Sequence, residues 1–105
     1  MIKKIKDTFT KNDFDYRLIA RVGRIALFEQ FDAKEVCGYE IHKIRVKPIQ
    51  PMFLPGDEYK GYTHYEKLPS NEEFGKYGWY YMNKRLAIDH YNELIKKEKK
   101  KEFTS

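Results

Sequence analysis

The sequence predicts a single α+β domain in which a three- to four-stranded antiparallel sheet is packed by one C-terminal helix. Strand-like patterns fill residues 14–46, a one-sided helical pattern fills residues 84–99, and a long loop rich in proline and glycine lies between them. Strands that precede a helix, instead of alternating with helices, favour α+β over α/β. A chain of 105 residues with 41% hydrophobic side chains is expected to bury one core. We expect that core to span about 14–96, with basic, flexible ends at 1–12 and 97–105.

The first two strands are predicted on either side of Gly23. From Phe14 to Ala20, apolar and polar residues alternate, which is the period of a strand with one buried face. Residues 24–31 resume as a second, more continuously apolar strand. Gly23 can supply the positive φ that a tight hairpin turn requires.

A third strand is predicted over residues 38–46, after a polar turn at residues 32–35. The apolar positions change parity after Ile41. An extra residue in one strand shifts the parity of every residue beyond it, so a β-bulge is expected near Lys43.

The central loop is the candidate binding surface. It runs from Pro48 to Pro69 and is longer than most connections in compact domains, which is typical of functional loops. Tyrosine and phenylalanine favour interfaces because rigid rings supply contact area at low entropic cost. The candidate protein-binding residues are Phe53, Tyr59, Tyr62 and Tyr65. In the alternative interpretation, these rings cover the open face of the sheet.

Capping signals flank the last strand and the helix. Ser70 and Glu73 have capping-box spacing, and Asn83 is placed to cap a helix that begins at Lys84. Between them lies a short aromatic strand in which Trp79 is predicted to be part of the core. The apolar positions of the helix follow a three-and-four spacing, at Ala87, Ile88, Tyr91, Leu94 and Ile95.

The net charge of +5 is confined to the two ends. Residues 1–12 hold four lysines against one aspartate, and residues 84–105 hold seven basic against four acidic residues. Such a C-terminal run is typical of a solvated helix end, and nucleic-acid binding would require the two ends to converge on one surface. The lysines assigned to that alternative are Lys3, Lys4, Lys96, Lys97 and Lys100.

Motifs for catalysis or cofactor binding are lacking in the sequence. The histidines and Cys37 form no paired metal-binding motif, and the glycines form no phosphate-binding loop. Cys37 and His42 are five positions apart in one predicted strand, so the period of two is expected to place them on opposite faces. Ser70 is interpreted as a cap. We therefore expect no enzyme, no metal and no cofactor.

The single cysteine and the absence of long apolar runs bear on location. Cys37 cannot form an internal disulfide, which favours a reduced, intracellular protein. No stretch reaches the roughly 20 apolar residues of a membrane span, and the N-terminus lacks an apolar run of signal-peptide length. Neither secretion nor membrane insertion is expected.

Two segments resemble a group of small proteins encoded by bacteriophages and prophages, especially those of gut bacteria. They are Gly-Tyr-Glu-Ile-His-Lys-Ile at 38–44 and Pro-Ser-Asn-Glu-Glu-Phe-Gly-Lys-Tyr-Gly-Trp at 69–79. The similarity covers about residues 16–95 and includes the order strand, loop, second motif and short helix. It implies a phage origin, in the cytoplasm of the infected host or in the virion, and no activity or catalytic residues. The leading hypothesis is then a protein-binding module that contacts host machinery or the virion. Nucleic-acid binding is the alternative, and a small enzyme comes third.

Overall fold

The computed structural model describes residues 1–49 and 61–104, and within these ranges the chain forms eight strands and one α-helix. A five-stranded sheet has the order β2-β3-β4-β5-β8, and a three-stranded sheet has the order β1-β7-β6. The elements are β1 Ile2–Lys3, β2 Thr8–Lys11, β3 Phe14–Val22, β4 Ile25–Asp32, β5 Glu35–Lys43, β6 Arg45–Pro48, β7 His64–Lys67, β8 Gly78–Tyr81 and α1 Lys84–Thr104. The α+β class and the C-terminal helix are confirmed.

The large sheet is a meander whose turns use left-handed backbone conformations. The β3–β4 hairpin turns at Gly23, with φ of 58°, as predicted. Asn12 and Asp13 turn the chain between β2 and β3 with φ values of 54° and 67°, a conformation that these two residue types tolerate. Each turn fixes the register of its hairpin, so strands β2 to β5 pair in chain order.

Helix α1 packs on one face of the large sheet. Ile25 and Leu27 from β4 and Ile41 from β5 form a buried cluster with Ala87 and Tyr91 of the helix. The predicted helix face is confirmed, because its other members, Ile88, Leu94 and Ile95, pack against the same cluster. Trp79 is partly buried against this cluster, in line with its predicted place in the core.

The opposite face of the large sheet holds a second core cluster, formed by Tyr16, Ala26, Phe28 and Ile44. Phe9 of β2 stacks on Tyr16 at 5.0 Å and meets Phe28 edge-on at 5.2 Å between ring centroids. Phe28 lies two strands away from Phe9, so the two rings meet across the intervening strand β3. At the same edge of the sheet, the Lys11 ammonium donates to the Pro69 carbonyl at 2.8 Å.

The parity change after Ile41 has a cause other than the predicted bulge near Lys43. The β4–β5 register is regular through Lys43, and the chain then breaks at Ile44 and enters the three-stranded sheet as β6. The side chains beyond Ile44 therefore belong to a different sheet. The register shifts fall elsewhere, at Ile19 in β3 and at Cys37 in β5.

The structured part of the chain extends beyond the predicted core of 14–96. Ile5 and Phe9 pack against the second core cluster, and the first residues supply β1 and β2. At the other end α1 continues to Thr104. The predicted central loop is shortened on its C-terminal side by β7, which pairs with β6.

Two ion pairs hold the smaller sheet in place. Arg21 of β3 makes a two-pronged contact with Glu66 of β7, with an Nη1–Oε1 distance of 2.9 Å. The pKa of Glu66 is lowered, first because it accepts hydrogen bonds from the Arg21 guanidinium. Arg45 of β6 pairs with Glu73, and its guanidinium lies 4.4 Å from the centre of the Tyr77 ring.

The packing of α1 predicts a cost for truncating its buried face. Replacing Leu94 by Ala is expected to lower the free energy of unfolding by about 2 kcal/mol, because it removes apolar contacts and leaves a void. Chemical denaturation measures this. Leu86→Ala, at a position on the same helix that is 56% exposed, is the matched control and should leave the midpoint nearly unchanged. Equal midpoints for Leu94→Ala and the native protein would contradict the packing.

The contacts of Glu73 predict that its contribution to the stability of the fold is lost in acid. The Ser70 amide, together with Arg45 and the Ser70 hydroxyl, lowers the pKa of Glu73 from 4.5 to about 2. A carboxyl group whose pKa is lower in the folded than in the unfolded state stabilises the folded protein at any pH above its unfolded-state pKa. This contribution is lost as the pH falls through the folded-state pKa. Glu73→Gln should therefore be less stable than the native protein at pH 7, and the difference should shrink as the pH falls toward 2. Thermal melts across this range measure it, and a pH-independent difference would show that the charge is irrelevant.

Candidate functional site

The predicted binding loop lies only partly in the described structure. Phe53 and Tyr59 fall outside the described residues, so that part of the predicted surface stays a prediction. Tyr62 and Tyr65 are partly buried, and Tyr65 belongs to β7, where it pairs with Lys47 of β6 and Lys3 of β1. Tyr65 therefore contributes to a sheet as well as to any surface that the loop offers.

A buried polar network lies on the face of the large sheet away from α1. The Glu40 carboxylate accepts hydrogen bonds from the Tyr16 hydroxyl at 3.1 Å and from the Gln30 amide at 3.1 Å. Its other oxygen lies 2.8 Å from Nε2 of His42, which is fully buried. The Gln30 amide also donates to the Tyr16 hydroxyl at 2.8 Å. Three strands are thus joined by side chains inside the core.

The bulge at Cys37 brings its thiol into this network, which sequence reasoning missed. The Cys37 thiol donates to Oε1 of Gln30 at 3.3 Å, and Gln30 is linked through Glu40 to His42. The expectation that Cys37 and His42 lie on opposite faces is therefore wrong. The extra residue at the bulge shifts the parity of the strand by one, and periodicity alone gives no sign of it.

The chemistry of this network favours structure over catalysis. Burial raises the pKa of Tyr16 to about 12, and it also raises the pKa of the Cys37 thiol, to which the charge of Asp32 adds. A cysteine nucleophile needs a lowered pKa, which is the opposite direction. Aromatic rings enclose His42, with Phe28 at 5.1 Å and Phe74 at 6.1 Å between ring centroids. In this arrangement a substrate has no path to the histidine.

Tyr80 covers a glycine at the end of the network. Its hydroxyl donates to the Cys37 carbonyl at 2.7 Å, and its ring lies over Gly38, where an added Cβ would come within 2.3 Å of the ring. A side chain at position 38 would therefore require the Tyr80 ring to move. The same ring is 45% exposed on its outer side.

Exposed apolar side chains occur at the end of β8 and in the first turn of α1. We call this group the apolar corner; it consists of Tyr80, Met82 and Leu86, which are 45%, 80% and 56% exposed. Val36, two residues before Gly38 in β5, is also 45% exposed. The register pairs Tyr81 with Tyr39, so Met82 continues alongside the residues that follow Val36 in β5. Leu86 lies one turn into α1, where its amide is capped by the Asn83 side chain at 3.2 Å.

The two basic ends approach one another at the β3–β4 turn. One groove beside Gly23 is lined by Lys4, Lys6 and Arg21. A second groove beside the same glycine is lined by Arg24, Glu98 and Lys99. Among the predicted lysines, Lys4 lines a groove, Lys3 lies in β1, Lys96 and Lys97 are exposed on α1, and Lys100 lies in the last turns of α1. The acidic Asp7 and Glu98 share these grooves and reduce their positive charge.

Comparison with known proteins gives no relative: no family model, curated protein or solved structure matches the chain. Across residues 1–49 and 61–104, histidine, cysteine and acidic side chains form no group of three that is arranged to hold a metal ion. In the same part of the chain, no helix combines the length and apolar character needed to cross a membrane.

The buried network predicts that Glu40 is important for stability. Replacing Glu40 by Ala removes the acceptor of the Tyr16 hydroxyl and the partner of His42 inside the core, and it leaves the Gln30 amide with its bond to Tyr16 alone. The expected loss is about 3 kcal/mol in the free energy of unfolding. Glu29→Ala is the matched control, because Glu29 pairs with Arg17, whose side chain is 61% exposed, and surface pairs contribute about 1 kcal/mol or less. Equal losses in the two variants would contradict the role of the network.

Proposed function

We propose that this protein is a non-enzymatic binding module and that a protein partner docks on the apolar corner. The observation that carries this proposal is the succession of the exposed side chains Tyr80, Met82 and Leu86 along the edge strand β8 and the first turn of α1. Large apolar side chains that are exposed together cost solvation free energy in the free protein, and their burial by a partner recovers it. Tyrosine and methionine are also among the residue types enriched at interfaces.

The state of the polar network supports a role without catalysis. Its acid–base groups are enclosed by aromatic rings, and the pKa values of Tyr16 and Cys37 are raised, so both groups stay protonated near neutral pH. The network instead fixes β3, β4 and β5 relative to one another. A rigid sheet presents the apolar corner in one arrangement, which lowers the entropic cost of binding.

The class of partner follows from the resemblance to phage and prophage proteins. A small phage protein without catalytic residues acts by occupying a surface, so the partner is a protein of the host machinery or of the virion. The site of action is then the cytoplasm of the infected bacterium or the virion itself.

A second candidate function, nucleic-acid binding, is favoured by the approach of both basic ends to the turn at Gly23. Phosphate binding needs several cations on one surface. Lys4 and Lys6 line one groove beside Gly23, and Arg24 and Lys99 line the other. This function would show as binding to a generic oligonucleotide that weakens steeply with added salt. The apolar corner predicts no such dependence.

The proposed function predicts which variant loses its partner. Met82→Asp combined with Leu86→Asp should abolish enrichment of the partner, because charged groups replace the apolar contact. The fold should persist, since both positions are exposed and an acid in the first turn of a helix suits its dipole. The measurement is quantitative mass spectrometry of proteins retained from host lysate by each immobilised variant.

Val22→Asp serves as the matched control. Val22 is also an exposed apolar residue, at 47%, but it lies at the β3–β4 turn instead of the apolar corner. It should retain the partner. Circular dichroism checks that all variants fold. If the double variant and the native protein retain the same proteins, the apolar corner is not the binding surface.

A further inference from the structure

We propose that the partner binds by adding a strand to the free edge of β8, and that the added strand carries acidic side chains at its ends. This inference rests on the proposed protein-binding function and specifies the mode and the chemistry of the contact. It depends on three features of the structure: the direction of the backbone groups of β8, the lack of protection on this edge, and the charges that flank it.

The hydrogen-bonding pattern shows which backbone groups of β8 are directed outward. The Lys43 amide donates to the Tyr77 carbonyl at 2.8 Å, just before β8 begins. In an antiparallel pair, alternate residues direct their amide and carbonyl toward the neighbouring strand. Trp79 and Tyr81, two and four positions after Tyr77, therefore bond to β5. The amide and carbonyl of Tyr80 and the amide of Met82 are consequently directed away from β5.

Among residues 1–49 and 61–104, no strand pairs with this outer edge between Trp79 and Met82, because β8 is the last strand of the sheet order. The preceding turn covers only Gly78, whose carbonyl accepts a hydrogen bond from the Gly75 amide at 2.7 Å. Edge strands are commonly guarded by charged residues or proline, yet residues 79–83 read Trp-Tyr-Tyr-Met-Asn. An open edge of this composition is suited to accept a strand from another chain.

The residues that flank the edge specify an acidic partner. Lys76 precedes β8, Lys84 and Arg85 follow it, and all three are exposed. Lys84 and Arg85 lie in the first turn of α1, which contains no acidic residue. Cations at this end of a helix are unfavourable, because the N-terminus of the dipole is positive. Acidic side chains of a partner would offset this repulsion.

The same charges oppose pairing with a second copy of the chain. In an antiparallel pair of β8 strands centred on Tyr80, the end of one strand that follows Lys76 would meet the end of the other that precedes Lys84. Like charges brought close together in this way repel one another. A different chain with acidic ends and an apolar centre fits both the charges and the neighbouring Met82 and Leu86.

The experiment uses two synthetic peptides with the same alternating valine–threonine centre, one flanked by glutamates and the other by lysines. Binding to the full chain is measured by fluorescence anisotropy. The glutamate peptide should bind at least about tenfold more tightly than the lysine peptide. In the complex, hydrogen exchange of the Tyr80 and Met82 amides should slow at least about tenfold, because strand addition gives these amides partners. The Trp79 and Tyr81 amides, already bonded to β5, should change much less.

Two sets of variants separate the backbone contribution from the charge contribution. Met82→Pro removes one outward amide and should weaken binding of the glutamate peptide strongly, whereas Met82→Ala keeps the amide and should weaken it less. Lys84→Glu combined with Arg85→Glu should reverse the preference between the two peptides. Helical circular dichroism confirms that each variant is folded.

Each contrary outcome is decisive. Binding of the glutamate peptide without slower exchange at Tyr80, or no binding of either peptide, overturns strand addition. Equal affinity for both peptides overturns the acidic partner. The two proposals fail separately. If the lysate partner is lost with Met82→Asp and Leu86→Asp but kept with Met82→Pro, strand addition is overturned and the apolar corner remains the binding surface.

Discussion

Burial of β4 on both faces is the constraint on which the rest of the structure depends. Ile25 and Leu27 direct their side chains toward α1, while Ala26 and Phe28 direct theirs toward the opposite side. Each set requires its own cover, since a strand with two apolar faces cannot lie at a surface. The helix supplies one cover. The other comes from β2 and the N-terminal segment, whose Phe9 and Ile5 pack against the cluster that contains Phe28.

The polar network on this face is tolerated because its members are buried together. Glu40 and Gln30 lie on that face, where burying either one alone would cost free energy. Together with Tyr16 and His42 they satisfy most of each other's hydrogen bonds. A network of this kind is compatible with few alternative registers, because a slip of one residue would leave its members unpaired. It therefore ties the register of the central strands to the native arrangement.

The exposed apolar surface of the described residues lies at the margins of the fold. Helix α1 covers one face of the large sheet and the N-terminal segment covers part of the other, whereas Tyr80 and Met82 at the C-terminal end of β8 stay exposed. Basic residues also lie at the margins of the fold. Lys84 and Arg85 lie beside the edge of β8, and Lys4 and Lys99 lie at the β3–β4 turn. The same organisation that makes the centre rigid and closed makes these margins available for contact.

The sequence by itself determined the local elements of this protein. The spacing of Ala87, Tyr91 and Leu94 defined the buried helix face, Gly23 defined the first predicted hairpin, and Asn83 defined the helix cap, because each depends on residues within a few positions. Only the tertiary structure decided which strands are neighbours. The move of the chain between sheets at Ile44, the bulge at Cys37 and the open edge of β8 all depend on pairing between residues far apart in the chain. Periodicity shows which residues share a face, but it carries no information on which distant strand will lie beside them.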